Sequence, residues 1–98
     1  MLAEKQFENK IKNFLKRNDI YFFKFFANGF TKSGLSDIYA CIKGKFVGIE
    51  VKAEKGKPSP LQIYNKNQIE KSGGIAYILY PKDFEEFKKD IKKMLFLA

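Results

Sequence analysis

Two short apolar runs, Ile38 to Ile42 and Phe46 to Lys52, stand on either side of Lys43-Gly44-Lys45. A glycine in a brief polar stretch lets the chain reverse, so the runs are predicted to pair as an antiparallel hairpin. That pairing dictates which side chains share a face. In the second run Glu50 and Lys52 project to one side, while Ile49 and Val51 project to the other. Asp37 opens the first run, thirteen positions before Glu50, and the hairpin can bring its carboxylate beside that of Glu50. Two carboxylates able to share a hard divalent cation, with a lysine next to them, suit cleavage of a phosphodiester.

The rest of the chain supplies the frame. Phe7, Ile11, Phe14 and Leu15 recur at helical spacing, which predicts an amphipathic helix over about 3 to 17, closed by Asn18-Asp19. Ile20 to Phe26 is dense in aromatics and reads as a strand buried on both faces or nearly so, a core run in preference to a base-stacking one. Asn28 to Gly34 is a polar, glycine-bearing loop, and Glu54 to Pro58 is a charged one. Ser59-Pro60-Leu61-Gln62 announces a helix, with Ser at the N-cap, Pro at N1 and Gln at N3 in capping-box order. This helix is expected to run to about Ser72, with Gly73-Gly74 as its stop. Ile75 to Tyr80 is a fourth strand, ended by Pro81. Asp83 and Glu86 open a last helix bearing Phe84, Phe87, Ile91, Met94 and Leu95 on one side. Met94 to Leu97 forms an apolar tail, with the sheet or a second subunit as its docking surface. The expected order is α-β-β-β-α-β-α, a single α/β domain with a mixed four-stranded sheet flanked by helices.

Composition narrows the chemistry. The 98 residues contain no histidine, which removes Ser-His-Asp and Cys-His catalysis and histidine metal sites together. Cys41 is the lone cysteine, so neither an internal disulfide nor a cysteine zinc cluster can form. No apolar run approaches the ~20 residues needed to span a bilayer, and the charged N-terminal stretch does not read as a signal peptide. The expectation is an intracellular, cytoplasmic protein. A formal net charge of +8 favours a polyanionic partner, nucleic acid above all. Lysine outnumbers arginine almost completely, Arg17 being the single arginine, so base composition of the coding sequence is a second source of that excess.

The oxygen ligands on offer are Glu4, Glu8, Asp37, Glu50 and a backbone carbonyl near Val51. Mg²⁺ keeps several waters, so two or three carboxylates suffice to hold it. Glu50-Val51-Lys52 is common by chance; its company makes it specific. Gly34-Leu35-Ser36-Asp37, the hairpin, Gly48-Ile49-Glu50-Val51-Lys52, Gly56-Lys57-Pro58-Ser59-Pro60-Leu61-Gln62 and Gly73-Gly74 follow in order. This succession resembles the PD-(D/E)XK nuclease superfamily and, within it, the small VRR-NUC (virus-type replication-repair nuclease) domain. The resemblance extends from Glu4 to about Phe87, and Ser36 replaces the proline usual before the Asp.

The resemblance implies a restriction-endonuclease-like αβββαβ core with an extra C-terminal helix. It implies that Asp37 and Glu50 are metal ligands, that the Val51 carbonyl completes the shell, and that Lys52 is the catalytic lysine. Gln62 matches the glutamine opening the next helix, near the active site, while also being the capping partner of Ser59. An acid from the first helix is expected as well: Glu8 first, with Glu4 one turn earlier as the alternative. Phe30 to Gly34, with Lys32 and Ser33, is a candidate substrate-facing loop, and Lys55 and Lys57 flank the other side. The implied activity is Mg²⁺- or Mn²⁺-dependent endonucleolytic hydrolysis of DNA, branched or structured as in Holliday junctions, by a homodimer of DNA-repair or phage type. A non-catalytic nucleic-acid-binding module of the same fold is the alternative.

Overall fold

The protein is described here by a computed structural model covering residues 2–26 and 33–97. Helix α1 (Leu2–Arg17) leads into strand β1 (Tyr21–Lys24), and strands β2 (Ile38–Ile42) and β3 (Lys45–Val51) follow. Helix α2 (Pro60–Lys71), strand β4 (Ile75–Leu79) and helix α3 (Phe84–Leu97) complete the order αβββαβα. A short 3-10 turn over Pro81–Asp83 precedes α3.

Local chemistry accounts for the boundaries. Asp19 takes a left-handed backbone with φ of 58°. The Ile20 N–H then closes onto the Leu15 carbonyl at 3.1 Å, ending α1. Between β2 and β3 the reversal needs only Lys43 and Gly44, with φ of 51° and 83°. Two positive φ values give the turn the twist of the flanking strands, and Lys45 already pairs with Ile42. At α2 the capping box is complete: the Gln62 N–H donates to Ser59 Oγ at 3.2 Å, and the Ser59 N–H donates to Gln62 Oε1 at 2.9 Å.

The sheet order is β1-β2-β3-β4, antiparallel through β3 and parallel between β3 and β4. Alternation sorts the side chains onto two faces. One face carries Ile38, Ala40, Ile42, Val47, Ile49, Val51 and Leu79, and buries them against Phe7, Ile11, Phe14 and Leu15 of α1 and Phe87 and Ile91 of α3. This is the main core. The opposite face meets α2 in a smaller cluster of Tyr39, Ile69 and Ala76. Helix α2 contacts β3 and β4; on that side Phe25 packs against Tyr39 of β2, while Tyr21 and Phe23 of β1 and Cys41 of β2 stay exposed.

One expectation is corrected and another holds in part. The aromatic run from Ile20 to Phe26 is not buried on both faces: its strand spans only Tyr21–Lys24 and lies at the sheet edge, with Phe22 packed against the core and Tyr21 and Phe23 exposed. The cause is the position of α2, which does not reach over β1. The C-terminal tail is split as well. Met94 and Leu95 pack against the main core from α3, and Phe96 is exposed. Among the described residues no helix is long and apolar enough to cross a membrane.

Candidate active site

The site forms at the end of the sheet where β3 leaves it, beside the first turn of α2. Glu50 lies on β3, an interior strand, with 7% of its surface exposed. Both features set it apart from a solvated glutamate on an edge strand. Its Oε2 accepts from Gln62 Nε2 at 2.8 Å and stands 3.4 Å from Lys52 Nζ. Its Oε1 is buried without a hydrogen-bond partner. Burial first, then the charge of Asp37, push the Glu50 carboxyl up to about 7, with Lys52 offsetting part of the rise.

Asp37 precedes β2, and the ladder continues through it. Its N–H donates to the Ile49 carbonyl at 3.0 Å, and its carbonyl accepts from the Phe25 N–H at 2.7 Å. Its Oδ2 accepts from the Val51 N–H at 2.7 Å, which fixes the carboxylate at the end of β3. The Lys52 N–H donates to the Leu79 carbonyl at 2.9 Å, so the lysine is rooted in the β3–β4 pairing. Its Nζ donates to Gln62 Oε1 at 2.9 Å. Gln62 is the hub. One side-chain amide caps α2, holds the lysine and donates to the glutamate, so its capping and site roles coexist.

Glu8 is buried, on the side of α1 facing this end of the sheet. Its Oε1 accepts from Lys24 Nζ at 2.9 Å, and the same ammonium stands 3.6 Å from Asp37 Oδ1. Lys12 lies 3.3 Å from Glu8 Oε2. Burial acts to raise the pKa of Glu8, but Lys24 and Lys12 outweigh it and hold the carboxyl below its ordinary value. Burial likewise acts to lower Lys24, and Glu8 with Asp37 reverse that, so its pKa is raised. Glu8 thus meets Asp37 through an ammonium group. Among the described residues no three acidic, histidine or cysteine side chains are grouped to hold an ion. Glu4 is exposed in the first turn of α1.

Lys24 was not singled out from the sequence. The available signal was its position as the one charged residue inside an aromatic run. Tyr39 and Asn65 were missed too, and Ser36 was named only for replacing the usual proline. The Tyr39 hydroxyl accepts from the buried Ser36 N–H at 3.0 Å, and Asn65 Nδ2 donates to Ser36 Oγ at 3.3 Å. Ser36 therefore ties the segment before Asp37 to both the sheet and α2, anchoring that a proline could not supply through its nitrogen. Gly48 makes room for it, since a Cβ there would fall 2.8 Å from Ser36 Oγ.

The Glu54-to-Pro58 loop closes one flank. The Tyr80 hydroxyl donates to the Gly56 carbonyl at 2.8 Å, and Gly56 lies against the Lys52 side chain. Lys55 and Lys57 are exposed beside it, and Ser33 is exposed on its own loop. Lys32 lies outside the described residues.

Asp37 and Glu50 are the carboxylates of the site that could hold a divalent ion. Asp37 lies close enough to Glu50 to raise the cost of ionising it, and the buried Oε1 of Glu50 has no hydrogen-bond partner. No protein-family model matches the chain, and no curated protein matches it either.

Proposed function

We propose that this chain is a divalent-metal-dependent endonuclease of the VRR-NUC kind, with a restriction-endonuclease-like core, hydrolysing phosphodiester bonds in branched or structured DNA. The observation that carries the reading is the convergence of Glu50, Lys52 and Gln62 in one hydrogen-bonded group, with Asp37 fixed beside it on the Val51 N–H and a buried Glu50 oxygen that has no partner. Asp37, Glu50 and the Val51 carbonyl would hold Mg²⁺ or Mn²⁺, and the bound ion would polarise the scissile phosphate and acidify a water. Lys52 carries the remaining charge-neutralising work. Its ammonium, held by Gln62, faces the phosphate oxygens on which negative charge accumulates. Gln62 keeps Glu50 and Lys52 from collapsing into a tighter ion pair by occupying a bond to each. Glu8 acts at one remove, by fixing Lys24 against Asp37.

The positive charge of the chain supplies attraction to the DNA backbone without reading sequence, and exposed Lys55 and Lys57 extend it beside the site. Shape then sets specificity, and a two-fold homodimer would present two such sites to two strands.

A cleavage panel tests the reading. Linear, flapped and four-way DNA are incubated with the protein in Mg²⁺, Mn²⁺ or EDTA. Cleavage of at least one branched substrate is expected with metal and lost in EDTA, and Glu50→Gln should be inactive in all three. Failure to cut any substrate across a range of salt would favour the non-catalytic DNA-binding module. That second reading draws on the Lys24 ammonium, which already neutralises Glu8 and part of Asp37.

A further inference from the structure

The face of the sheet that α2 leaves open is lined with exposed rings. Tyr21 is 73% exposed, Phe23 48% and Phe46 53%. They stand in two cross-strand rows: Tyr21 opposite Cys41 opposite Phe46, and Phe23 opposite Tyr39 opposite Gly48. In the first row the small Cys41 side chain separates two exposed rings. Buried Tyr39 braces one ring of each row, with centroids 5.8 Å from Phe23 and 5.3 Å from Phe46. Those two rings are therefore held in place before anything binds.

We propose that this face is a stacking platform for the unpaired bases of a DNA single strand. The exposed residues are flat π systems, whereas the aliphatic side chains of β2 and most of those of β3 and β4 are spent on the other face. Stacking on such rings tolerates any base. The rim is basic, as Lys43 and Lys45 line a shallow open depression with Phe46, suited to the phosphates of a strand lying across the rings. Lys43 and Lys45 beside Phe46 also favour an anionic occupant over a second copy of this same face, which would set lysine against lysine, while a homodimer formed through another surface is unaffected. Placement sets the relation to the carboxylates. Phe46 and Glu50 are four positions apart on this face of β3, about 13 Å. Ile69 of α2 and Ser36 stand over Gly48 between them, so a strand stacked on the rings reaches the carboxylates only by passing around that cover. This part of the inference rests on the nuclease reading, and it names the substrate as DNA with a single-stranded arm long enough to make that turn.

The test measures binding of labelled oligo-dT and of a blunt hairpin duplex by fluorescence anisotropy, in EDTA so that no strand is cut. Tyr21→Ala and Phe46→Ala should each weaken oligo-dT about tenfold while leaving duplex affinity unchanged. Phe46→Trp should retain oligo-dT affinity. Because the chain has no tryptophan, the introduced indole reports stacking alone, and its emission should be quenched by oligo-dT. Unchanged oligo-dT affinity in both alanine variants, or an unquenched indole, overturns the platform. So does a wild-type dimer in sedimentation that Phe46→Ala disperses, which would make the face a self-interface. Ring-dependent binding by a protein that cuts nothing with Mg²⁺ would uphold the platform and remove the nuclease reading. Cleavage with ring-independent binding would remove the platform alone.

Discussion

Glu50 concentrates the energetic cost of the site in one side chain. Its carboxyl is pushed up to about 7, against a starting value of 4.5, by burial and then by Asp37. Between those values the folded state holds a proton that the unfolded chain has released. Stability therefore falls as pH rises from about 4.5 to about 7 and is level above that window. A divalent ion needs the ionised carboxylate, so its stabilising effect runs in the opposite direction. Thermal melts at pH 5, 6, 7 and 8 should show a gain in Tm from Mg²⁺ that grows across the window. Glu50→Gln should abolish both the pH slope and the Mg²⁺ gain. A gain that is the same at every pH, or that survives Glu50→Gln, would mean the ion binds elsewhere. No histidine in the chain titrates in this range to confuse the result. The acids and the lysine of this site were legible because strand alternation is strict and the hairpin is short. Lys24 was not legible, since its approach to Glu8 and Asp37 depends on how α1 lies across the end of β1, a tertiary relation with no local signature.

At the scale of elements, α2 and the segment before β2 hold the site together. Ser59 and Gln62 announce the helix start in the sequence, and the structure has that same box. Propensity and capping are local, which is why the bounds of α2 and β2 could be read directly. The aromatic strand was misread for the converse reason. Periodicity cannot say whether a neighbouring helix covers an edge strand, and α2 sits over β3 and β4 instead. Gly48 is the point where these elements come nearest. A Cβ there would meet Ser36 Oγ at 2.8 Å and Ile69 Cδ1 at 2.9 Å, both attached to packed surroundings. Gly48→Ala should destabilise the fold by about 1–3 kcal/mol, measured by urea unfolding. It should also lower cleavage beyond the loss of folded protein, because Ser36 carries Asp37 with it. A stability unchanged within about 0.5 kcal/mol would show that α2 can shift freely off the sheet.

At the scale of the whole molecule, the division of labour follows from the two sheet faces. One face is closed by α1 and α3 into an aliphatic and aromatic core, and this fixes the strands rigidly enough to hold charged groups at their ends. The other is half covered, and the acids, the lysine and the exposed rings share it. The chain as a whole carries a formal net charge of +8. The αβββαβα succession and the mixed four-stranded sheet were readable from the chain, whereas the open half-face was not, because it reflects what α2 fails to cover. The central claim is that these groups cut DNA, with Lys52 acting on the reacting phosphate. The most direct test is a single-turnover cleavage assay of wild type and Lys52→Ala on one branched substrate in Mg²⁺, with affinity measured in parallel in Ca²⁺. The account predicts a rate lowered about 10²-fold or more with affinity within a few fold of wild type. Equal rates for the two proteins, or no cleavage by either, would contradict it.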